Sequence, residues 1–461
     1  MSISGSFIVP HPPLIIPAVG KGQESGIQST INAYHECARL IARLKPQLII
    51  LTTPHSMIYQ DYFHISPGSL AQGDFGSYRA SNVKVTAAYD QEFVTVLEQN
   101  AASRNIPAGT LGERDASLDH GTMIPLYFIN QYYQDYQVVR IGLSGLSADE
   151  HYRFGMCIAD TVKQLDRKAV FVASGDLSHR LLAEGPYGFT PEGVQFDQQI
   201  TQAMAQGDFG RFLTFSPDFL EQAAECGLHS FLIMAGALDK TDVDSQLLSY
   251  EGPFGVGYGV ASFIPVGIND ERAFLDQYLT AESRRLQKQR NQESTYVKLA
   301  RYTLEYYINH NCLPDIPTDL PENFYKEKAG VFVSLKKRGQ LRGCIGTILP
   351  VTENITEEIR RNAVSAGIDD PRFDPVQPEE LQDLEYSVDI LTEPEPIDSA
   401  AQLDPKRYGV IVTHGAKRGL LLPDLAGVDT TEEQIAIARQ KAGIRSGETI
   451  SLSRFEVVRY R

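Results

Sequence analysis

The stretch PQLIILTTPHS (residues 46–56) joins a short aliphatic run to a turn that ends in a histidine. Residues 48–51 are all aliphatic, which predicts a strand buried on both faces, as in parallel α/β sheets. Thr53 and Pro54 end the run and place His55 just beyond it. Ligands of open α/β sheets bind beyond the carboxyl ends of the strands, so His55 stands where a ligand is expected.

Two further runs of the same kind each precede a histidine. Residues 7–9 (FIV) come before His11, and residues 169–172 (AVFV) come before His179. Imidazoles on three strand ends of one sheet can converge although they are far apart in the sequence. The pattern predicts a metal site, because imidazole is the commonest metal ligand among side chains.

Length and composition limit the class of protein. A chain of 461 residues is long for one hydrophobic core, so two domains are expected. The hydrophobic share of 42% and the charged share of 22% are typical of globular proteins. The formal net charge of -16 disfavours nucleic acid and anionic membranes as partners. Scattered cysteines without a C-x-x-C pair, and the lack of a long apolar stretch, predict a cytoplasmic protein.

Sequence periodicity divides the chain into three parts. Residues 1–268 alternate buried strands with helical patterns, which predicts an α/β domain. Residues 269–293 are polar and highly charged, and we expect a helical linker there. Residues 294–461 carry alternating strands between proline-rich loops, which predicts a smaller domain with antiparallel or mixed strands. The helices expected in the first domain cover residues 30–44, 91–100, 124–133, 149–165 and 229–238.

The two ligands that the sequence favours are His11 and His55. Both follow prolines, which fix the backbone and reduce the entropy lost on holding a ligand. A non-haem ferrous site also takes one carboxylate. Glu225 stands in the small-residue segment AAECG (residues 223–227), where a metal partner would remove the cost of a buried charge. Cys226 is the rival third ligand, and the choice between the two decides the chemistry.

Other histidines fall into two groups. His179 and His120 are candidates for acid-base work, because histidine titrates near neutral pH and can accept a proton from a phenol. His35, His64 and His151 do not follow a predicted strand, so we expect them at the surface.

Four segments of the first domain resemble the class III extradiol ring-cleavage dioxygenases of the LigB type. They are PHPPL (residues 10–14), TPHS (53–56), DHGTMIPL (119–126) and SGDLSH (174–179). The resemblance covers about residues 5–265 and implies a three-layer α/β/α domain with a mixed sheet.

The same resemblance implies roles for individual residues. A ferrous iron would be held by His11, His55 and a glutamate, with His179 as acid-base catalyst and His120 positioning substrate or oxygen. The segments also resemble the Memo proteins, in which a cysteine takes the place of the third ligand. Cys226 fits the Memo version and the adjacent glutamate fits the dioxygenase version. We favour Glu225, because a hard carboxylate suits ferrous iron.

The second domain resembles the AMMECR-type domain, which implies an α+β fold. The match rests on LKKRGQLRGCIGT (residues 335–347), DPRF (370–373) and RGLLLP (418–423). Arg342, Gly343 and Cys344 would place a guanidinium, a permissive backbone and a thiol together, as in an anion or cofactor pocket. The alternative is a strand-end turn that needs glycine.

Three functions are open at this point. The first is an Fe(II)-dependent extradiol dioxygenase that cleaves a catechol- or aminophenol-like aromatic with O2. The second is a Memo-like metal-binding component that does not cleave rings, in a system with a radical S-adenosylmethionine protein. The third is a pair of structural domains with degenerate sites. We expect a small aromatic substrate, a homo-oligomer, and neither nucleic acid nor membrane as partner.

Overall fold

The computed structural model describes residues 3–425 and 427–461. The chain forms two compact units, Met1–Ala281 and Glu282–Arg461. The boundary falls inside a helix of the charged segment that we expected to link the domains. Within the described residues, no helix combines the length and the apolar character needed to cross a bilayer.

The first unit alternates strands and helices along the chain. Its strands are β1 (Ile3–Val9), β2 (Leu48–Thr53), β3 (Phe63–His64), β4 (Leu70–Phe75), β5 (Ala80–Ala88), β6 (Ala108–Gly109), β7 (Gln137–Gly142), β8 (Ala169–Ser174), β9 (Thr241–Glu251) and β10 (Tyr258–Ile268). Its helices are α1 (Pro17–Gly20), α2 (Gln28–Leu44), α3 (Gln91–Ser103), α4 (His120–Ile129), α5 (Ala148–Gln164), α6 (Pro191–Gln206), α7 (Phe209–Phe212), α8 (Pro217–Ala223) and α9 (Leu228–Ala237). The boundary helix is α10 (Phe274–Gln292).

The main sheet of the first unit is mixed, in the order β7-β2-β8-β1-β10-β9. Strands β7, β2, β8 and β1 run parallel, and β10 and β9 complete the sheet in antiparallel pairing. Alternate residues of each central strand face opposite layers: Ile8 packs with α5 and α9, whereas Phe7 and Val9 pack with α2 and α4. This arrangement confirms the predicted three-layer α/β/α fold with a mixed sheet.

Helix α4 begins earlier than the sequence pattern predicted. We expected it from residue 124, but it starts at His120. The carboxylate of Asp119 accepts a hydrogen bond from the backbone N–H of Thr122 at 3.0 Å, which caps the first turn. The D-x-x-T spacing is a helix-start signal that the apolar pattern concealed.

Two of the three histidines expected at the surface are buried, so that prediction was wrong for His64 and His151. His151 lies on the inward face of α5, where its Nδ1 contacts the Ser147 carbonyl oxygen at 3.0 Å. His64 lies on β3 between two buried apolar neighbours. The prediction was wrong because it used only the position of each histidine relative to the strand ends, and that position does not determine whether the side chain is buried. His35 is half-buried.

The second unit is built on one antiparallel sheet, in the order β12-β11-β13-β17-β15-β16, with β14 beside β17. Its strands are β11 (Gly330–Lys337), β12 (Gln340–Gly346), β13 (Leu384–Leu391), β14 (Glu395–Ile397), β15 (Tyr408–His414), β16 (Lys417–Leu421) and β17 (Ser451–Tyr460). Its helices are α11 (Thr295–His310), α12 (Glu322–Lys326), α13 (Ile355–Ile368) and α14 (Thr431–Lys441). The predicted α+β class is confirmed.

Candidate metal centre

The carboxyl ends of β1, β2 and β8 lie at one edge of the first sheet, because these strands run parallel. His11 follows β1 and His55 follows β2, and His120 reaches the same edge as the first residue of α4. Ring centroids are 4.6 Å apart for His11 and His55, and 4.0 Å apart for His55 and His120. His179 lies in the loop after β8, the third strand that ends at this edge, and contributes to the lowered pKa of His11. The fold thus gathers four histidines from distant parts of the chain.

Hydrogen bonds on both sides hold the His11 segment in place. The His11 backbone N–H donates to Oδ1 of Asp176 at 2.7 Å, and the Tyr34 hydroxyl donates to the carbonyl oxygen of Pro10. On the ring, Nδ1 lies 2.9 Å from Oγ of Ser174. A hydrogen bond at Nδ1 fixes the orientation of the ring, so that Nε2 points into the site. In metal-bound histidines the ring nitrogen that does not bind the metal is commonly held by such a hydrogen bond.

Three donor atoms converge at this edge. Nε2 of His11 lies 2.9 Å from Nε2 of His55 and 3.6 Å from Sγ of Cys226. All three ligand atoms lie within 4.8 Å of one another. Metal–nitrogen and metal–sulfur bonds of about 2.0–2.3 Å require donor atoms roughly 3–4 Å apart. Two imidazoles and a thiol at these separations therefore fit a metal ion.

The position of Cys226 depends on a close contact between two backbones. A Cβ at Gly175 would lie 2.2 Å from the Cα of Gly227, so the loop after β8 touches the turn before α9. The backbone N–H of Asp176 donates to Sγ of Cys226 at 3.3 Å. Burial raises the pKa of the Cys226 thiol well above its ordinary value. Metal ligation favours the thiolate and removes that cost.

Glu225, which we expected to be the third ligand, is not among the three converging donors. Its Oε2 accepts a hydrogen bond of 2.6 Å from the backbone N–H of Leu228, in the first turn of α9. The carboxylate thus satisfies the open N–H groups at a helix start, where negative charge is favourable. Burial raises the pKa of Glu225 to about 7. The geometry favours the rival ligand, Cys226.

The histidines of the site are held in the neutral form. Burial, with a contribution from His55, lowers the pKa values of His120 and His179 to about 4. Burial and then His55 also lower the pKa of His11. Nε2 of His179 is buried without a hydrogen-bond partner among the described residues. Neutral imidazoles can bind a metal ion or accept a proton.

The residues that support the site were not predicted from the sequence. Ser174 and Asp176 were quoted only as part of the segment before His179, yet they contact the His11 ring and backbone. Asp119 accepts a hydrogen bond of 2.7 Å from Oγ1 of Thr53, which ties the His55 turn to the start of α4. Their position as polar residues between a buried strand and a histidine is the feature of the sequence that could have identified such supporting residues.

The fold and the three converging donor atoms define an α/β domain with a candidate metal centre. Comparison with protein families agrees with this class of protein. The family model described as the catalytic LigB subunit of aromatic ring-opening dioxygenase matches residues 5–261. This match covers more than half of the chain, which therefore belongs to the LigB family. The AMMECR1 family model matches residues 297–461. The chain thus has a LigB domain followed by an AMMECR1 domain.

Individual relatives cover the whole chain or its second part. The protein CA_C1420 of Clostridium acetobutylicum is 42% identical over 469 residues and covers 100% of both chains. A protein of Thermotoga maritima is 50% identical over 171 residues, which are 37% of this chain and 98% of the relative. Among solved structures, the uncharacterized protein JW3007 of Escherichia coli K12 is 15% identical with a TM-score of 0.41, over 57% of this chain and 99% of that one.

Proposed function

We propose that the first unit is a Memo-like metal-binding protein whose ligands are His11, His55 and Cys226. The observation that carries this proposal is the convergence of the three donor atoms, while the carboxylate of Glu225 caps a helix instead. Membership of the LigB family supports a metal site at this edge of the sheet. A cysteine in the third position is the feature that separates the Memo version from the glutamate-ligated dioxygenases.

Fe(II) is the metal that we propose for the site. Imidazole suits iron, zinc and copper alike, and a thiolate lacks the hard-oxygen preference for ferrous iron, so the donor set alone does not select the metal. The LigB family favours iron among these ions. When bound, the ion would supply a Lewis acid with open coordination positions. The chain supplies the rest: Ser174 orients the His11 ring, and the Asp176 N–H supports the Cys226 sulfur.

Metal analysis of anaerobically purified protein tests the proposal. Metal per chain is measured by plasma mass spectrometry in the wild type, Cys226→Ala and Glu225→Gln, with Cys312→Ala as a control at an exposed thiol outside the site. We expect loss of metal only in Cys226→Ala, because only that change removes a ligand. Retention of metal in Cys226→Ala with loss in Glu225→Gln would contradict the proposal.

A second candidate is ring cleavage of a catechol- or aminophenol-like aromatic with O2. The observation that favours it is the placement of His120 and His179 beside the ligand group, both neutral, with Nε2 of His179 free of partners among the described residues. In this function His179 would accept the proton of a phenolic substrate, and His120 would position the substrate.

Oxygen uptake separates the two candidates. Iron-loaded protein is given a panel of catechols and aminophenols, with His179→Gln as the matched variant. The Memo-like proposal predicts no uptake above the background of metal-free protein. Uptake that His179→Gln abolishes, with iron content unchanged, would establish the dioxygenase instead.

We also propose that a radical S-adenosylmethionine protein is a partner of this chain. The joining of a LigB domain to an AMMECR1 domain supports this part of the proposal. Co-purification after coexpression is the direct test, and we expect a stoichiometric complex. A chain that elutes alone in anaerobic buffer would contradict this part and leave the metal site unaffected. The same elution, with light scattering, tests the expected homo-oligomer.

A further inference from the structure

The helices of the second unit pack on one face of its sheet. Val331, Val333 and Leu335 of β11 form a core with α11 and α13. Val410 and Val412 of β15 form another core with α14. Neighbouring residues of these strands point to the opposite side, because side chains alternate along a strand. We call this opposite side the second face.

The second face carries an apolar patch. Leu391, Ile411 and Phe455 are buried there, and the partly buried Phe332 and Leu420 pack against them. Leu420 belongs to the RGLLLP segment that marked the second domain in the sequence. The patch thus keeps accessible apolar surface at its margin, where Phe332 and Leu420 are half-buried.

A thiol lies next to this patch on the same face. Cys344 of β12 is in register with Ser334 of β11, whose hydroxyl donates a 3.1 Å hydrogen bond to the sulfur. Two residues along, Gly346 is in register with Phe332 of the patch. The LRGCIG segment therefore places its cysteine beside the apolar patch.

Two arginines are each held by a buried aspartate, Arg372 next to Cys344 and Arg459 in line with Phe332 across the sheet. Asp370 binds Arg372 through two hydrogen bonds of 2.9 and 2.7 Å, and Asp389 binds Arg459 through two of 2.8 and 2.9 Å. The Arg372 guanidinium also donates to the carbonyl oxygen of Cys344 at 3.2 Å. The aspartate side chains are at most 5% exposed, whereas those of the arginines are 54% and 41% exposed. The carboxylates thus anchor guanidiniums that face outward.

Each guanidinium keeps N–H groups that can donate to a further anion. Their bonds to Asp370 and Asp389 use Nε and Nη2, so Nη1 of each arginine lies outside the hydrogen bonds of the described side chains. The hydrogen bonds from Asp370 and Asp389 are the main cause of the raised pKa values of Arg372 and Arg459, with smaller contributions from Cys344 at both arginines and from Asp424 at Arg459. Because each cation is already paired, a monoanion suits the site better than a dianionic phosphate.

Arg342, the arginine of the LRGCIG segment, makes structural contacts. Arg342 forms two hydrogen bonds to Glu380, of 3.0 and 2.8 Å, and one to the Asp374 carbonyl oxygen. Gly343 lies within the strand, where a Cβ would meet the Ala366 carbonyl oxygen of α13 at 2.1 Å. The glycine therefore permits a close approach rather than a turn, and Arg342 is a structural residue.

We propose that the second face binds a small carboxylate with an apolar body. The carboxylate contacts Arg372 and Arg459, the body lies on the patch around Phe332 and Leu420, and the thiol of Cys344 borders the bound molecule. Arginine recognises carboxylates through parallel N–H groups, which gives geometry as well as charge. All of these residues belong to the second unit, so the proposal does not rest on the proposed function of the first unit.

Alkylation of the cysteines in the full chain provides the first test. Iodoacetate carries a negative charge and iodoacetamide is neutral, and with both reagents the sulfur attacks the CH2 carbon while iodide leaves. The ratio of the two rates cancels the thiolate fraction and reports local charge. By peptide mass spectrometry we expect a ratio at Cys344 about threefold above that at the exposed Cys312.

Variants and a probe ligand complete the test. Arg459→Gln should lower the ratio at Cys344, whereas Arg361→Gln, an exposed site on α13, should not. Arg459→Lys keeps the charge and should preserve the ratio even if the glutamine variant fails to fold. Octanoate should protect Cys344 from iodoacetamide, and the neutral octanamide should not. Equal ratios at both cysteines, or no protection by octanoate, would overturn the proposal.

Discussion

A Cβ at Gly175 would lie 2.2 Å from the Cα of Gly227, so the backbones of the loop after β8 and of the turn before α9 are in direct contact. The contact places the N–H of Asp176 on the sulfur of Cys226 and brings that sulfur to 3.6 Å from Nε2 of His11. The third donor of the site therefore depends on two glycines that are not ligands.

Gly175→Ala is expected to weaken metal binding and to destabilise the first unit. The added methyl group must push the turn of Cys226 away, and overpacking of this kind costs about 1–3 kcal/mol. The urea midpoint and the metal affinity are the measurements. Gly267→Ala on β10 is the control, because nothing lies within 4 Å of its Cβ position. Unchanged metal binding in Gly175→Ala would contradict the account.

Ser174→Ala is expected to lower metal affinity about 10–100-fold while leaving the fold intact. The change removes the only side-chain partner found for Nδ1 of His11 in the described residues, so the ring loses its fixed orientation. Competition with a chromophoric chelator measures the affinity. Ser6→Ala on β1 serves as the control, since that buried hydroxyl has no partner among the described residues. Equal affinities in the two variants would argue against the supporting role of Ser174.

Much of the first unit could be predicted, because its central strands are apolar on both faces. Residues 48–51 and 169–172 are apolar throughout, and both lie in buried strands. The start of α4 was misplaced because His120 and Gly121 interrupt the apolar pattern, while the real signal was the cap at Asp119. Long-range pairing, such as β10 against β1, leaves no local trace in the sequence.

Part of the site could also be predicted from these apolar strands. The placement of His11 and His55 follows from the strands before them, whose direction in a parallel sheet fixes where they end. The choice between Glu225 and Cys226 depends on a turn whose orientation is set by the contact with Gly175. An acidic residue three positions before Leu228 was a helix-start signal that could have pointed to the capping role of Glu225.

Asp197 is expected to make the stability of the first unit depend on pH. Its buried carboxylate accepts 2.8 Å hydrogen bonds from the Ser178 backbone N–H and the Tyr250 hydroxyl, next to His179. Burial raises its pKa to about 7, above the unfolded value near 3.9. The folded state therefore binds more protons between these values, so the contribution is present below about pH 4 and is lost as the pH rises towards 7.

Asp197→Asn should remove this dependence, because the amide does not titrate; its oxygen can still accept from the Ser178 N–H, while its NH2 donates to the Tyr250 oxygen and reverses that bond. Urea midpoints at pH 5 and pH 7.5 give the measurement, and the wild type should lose more stability over this interval than the variant. Asp218→Asn, at an exposed position of α8, is the control and should follow the wild type. Parallel pH profiles for the wild type and Asp197→Asn would refute the expectation.

Anaerobic titration with Co(II) tests the central claim most directly, namely that Cys226 and not Glu225 is the third ligand. A cobalt–thiolate bond gives a charge-transfer band in the near ultraviolet, which two imidazoles and a carboxylate do not give. We predict this band at one equivalent of Co(II) in the wild type and in Glu225→Gln, and its loss in Cys226→Ser. Tight Co(II) binding without the band in the wild type, or a band that persists in Cys226→Ser, would contradict the account.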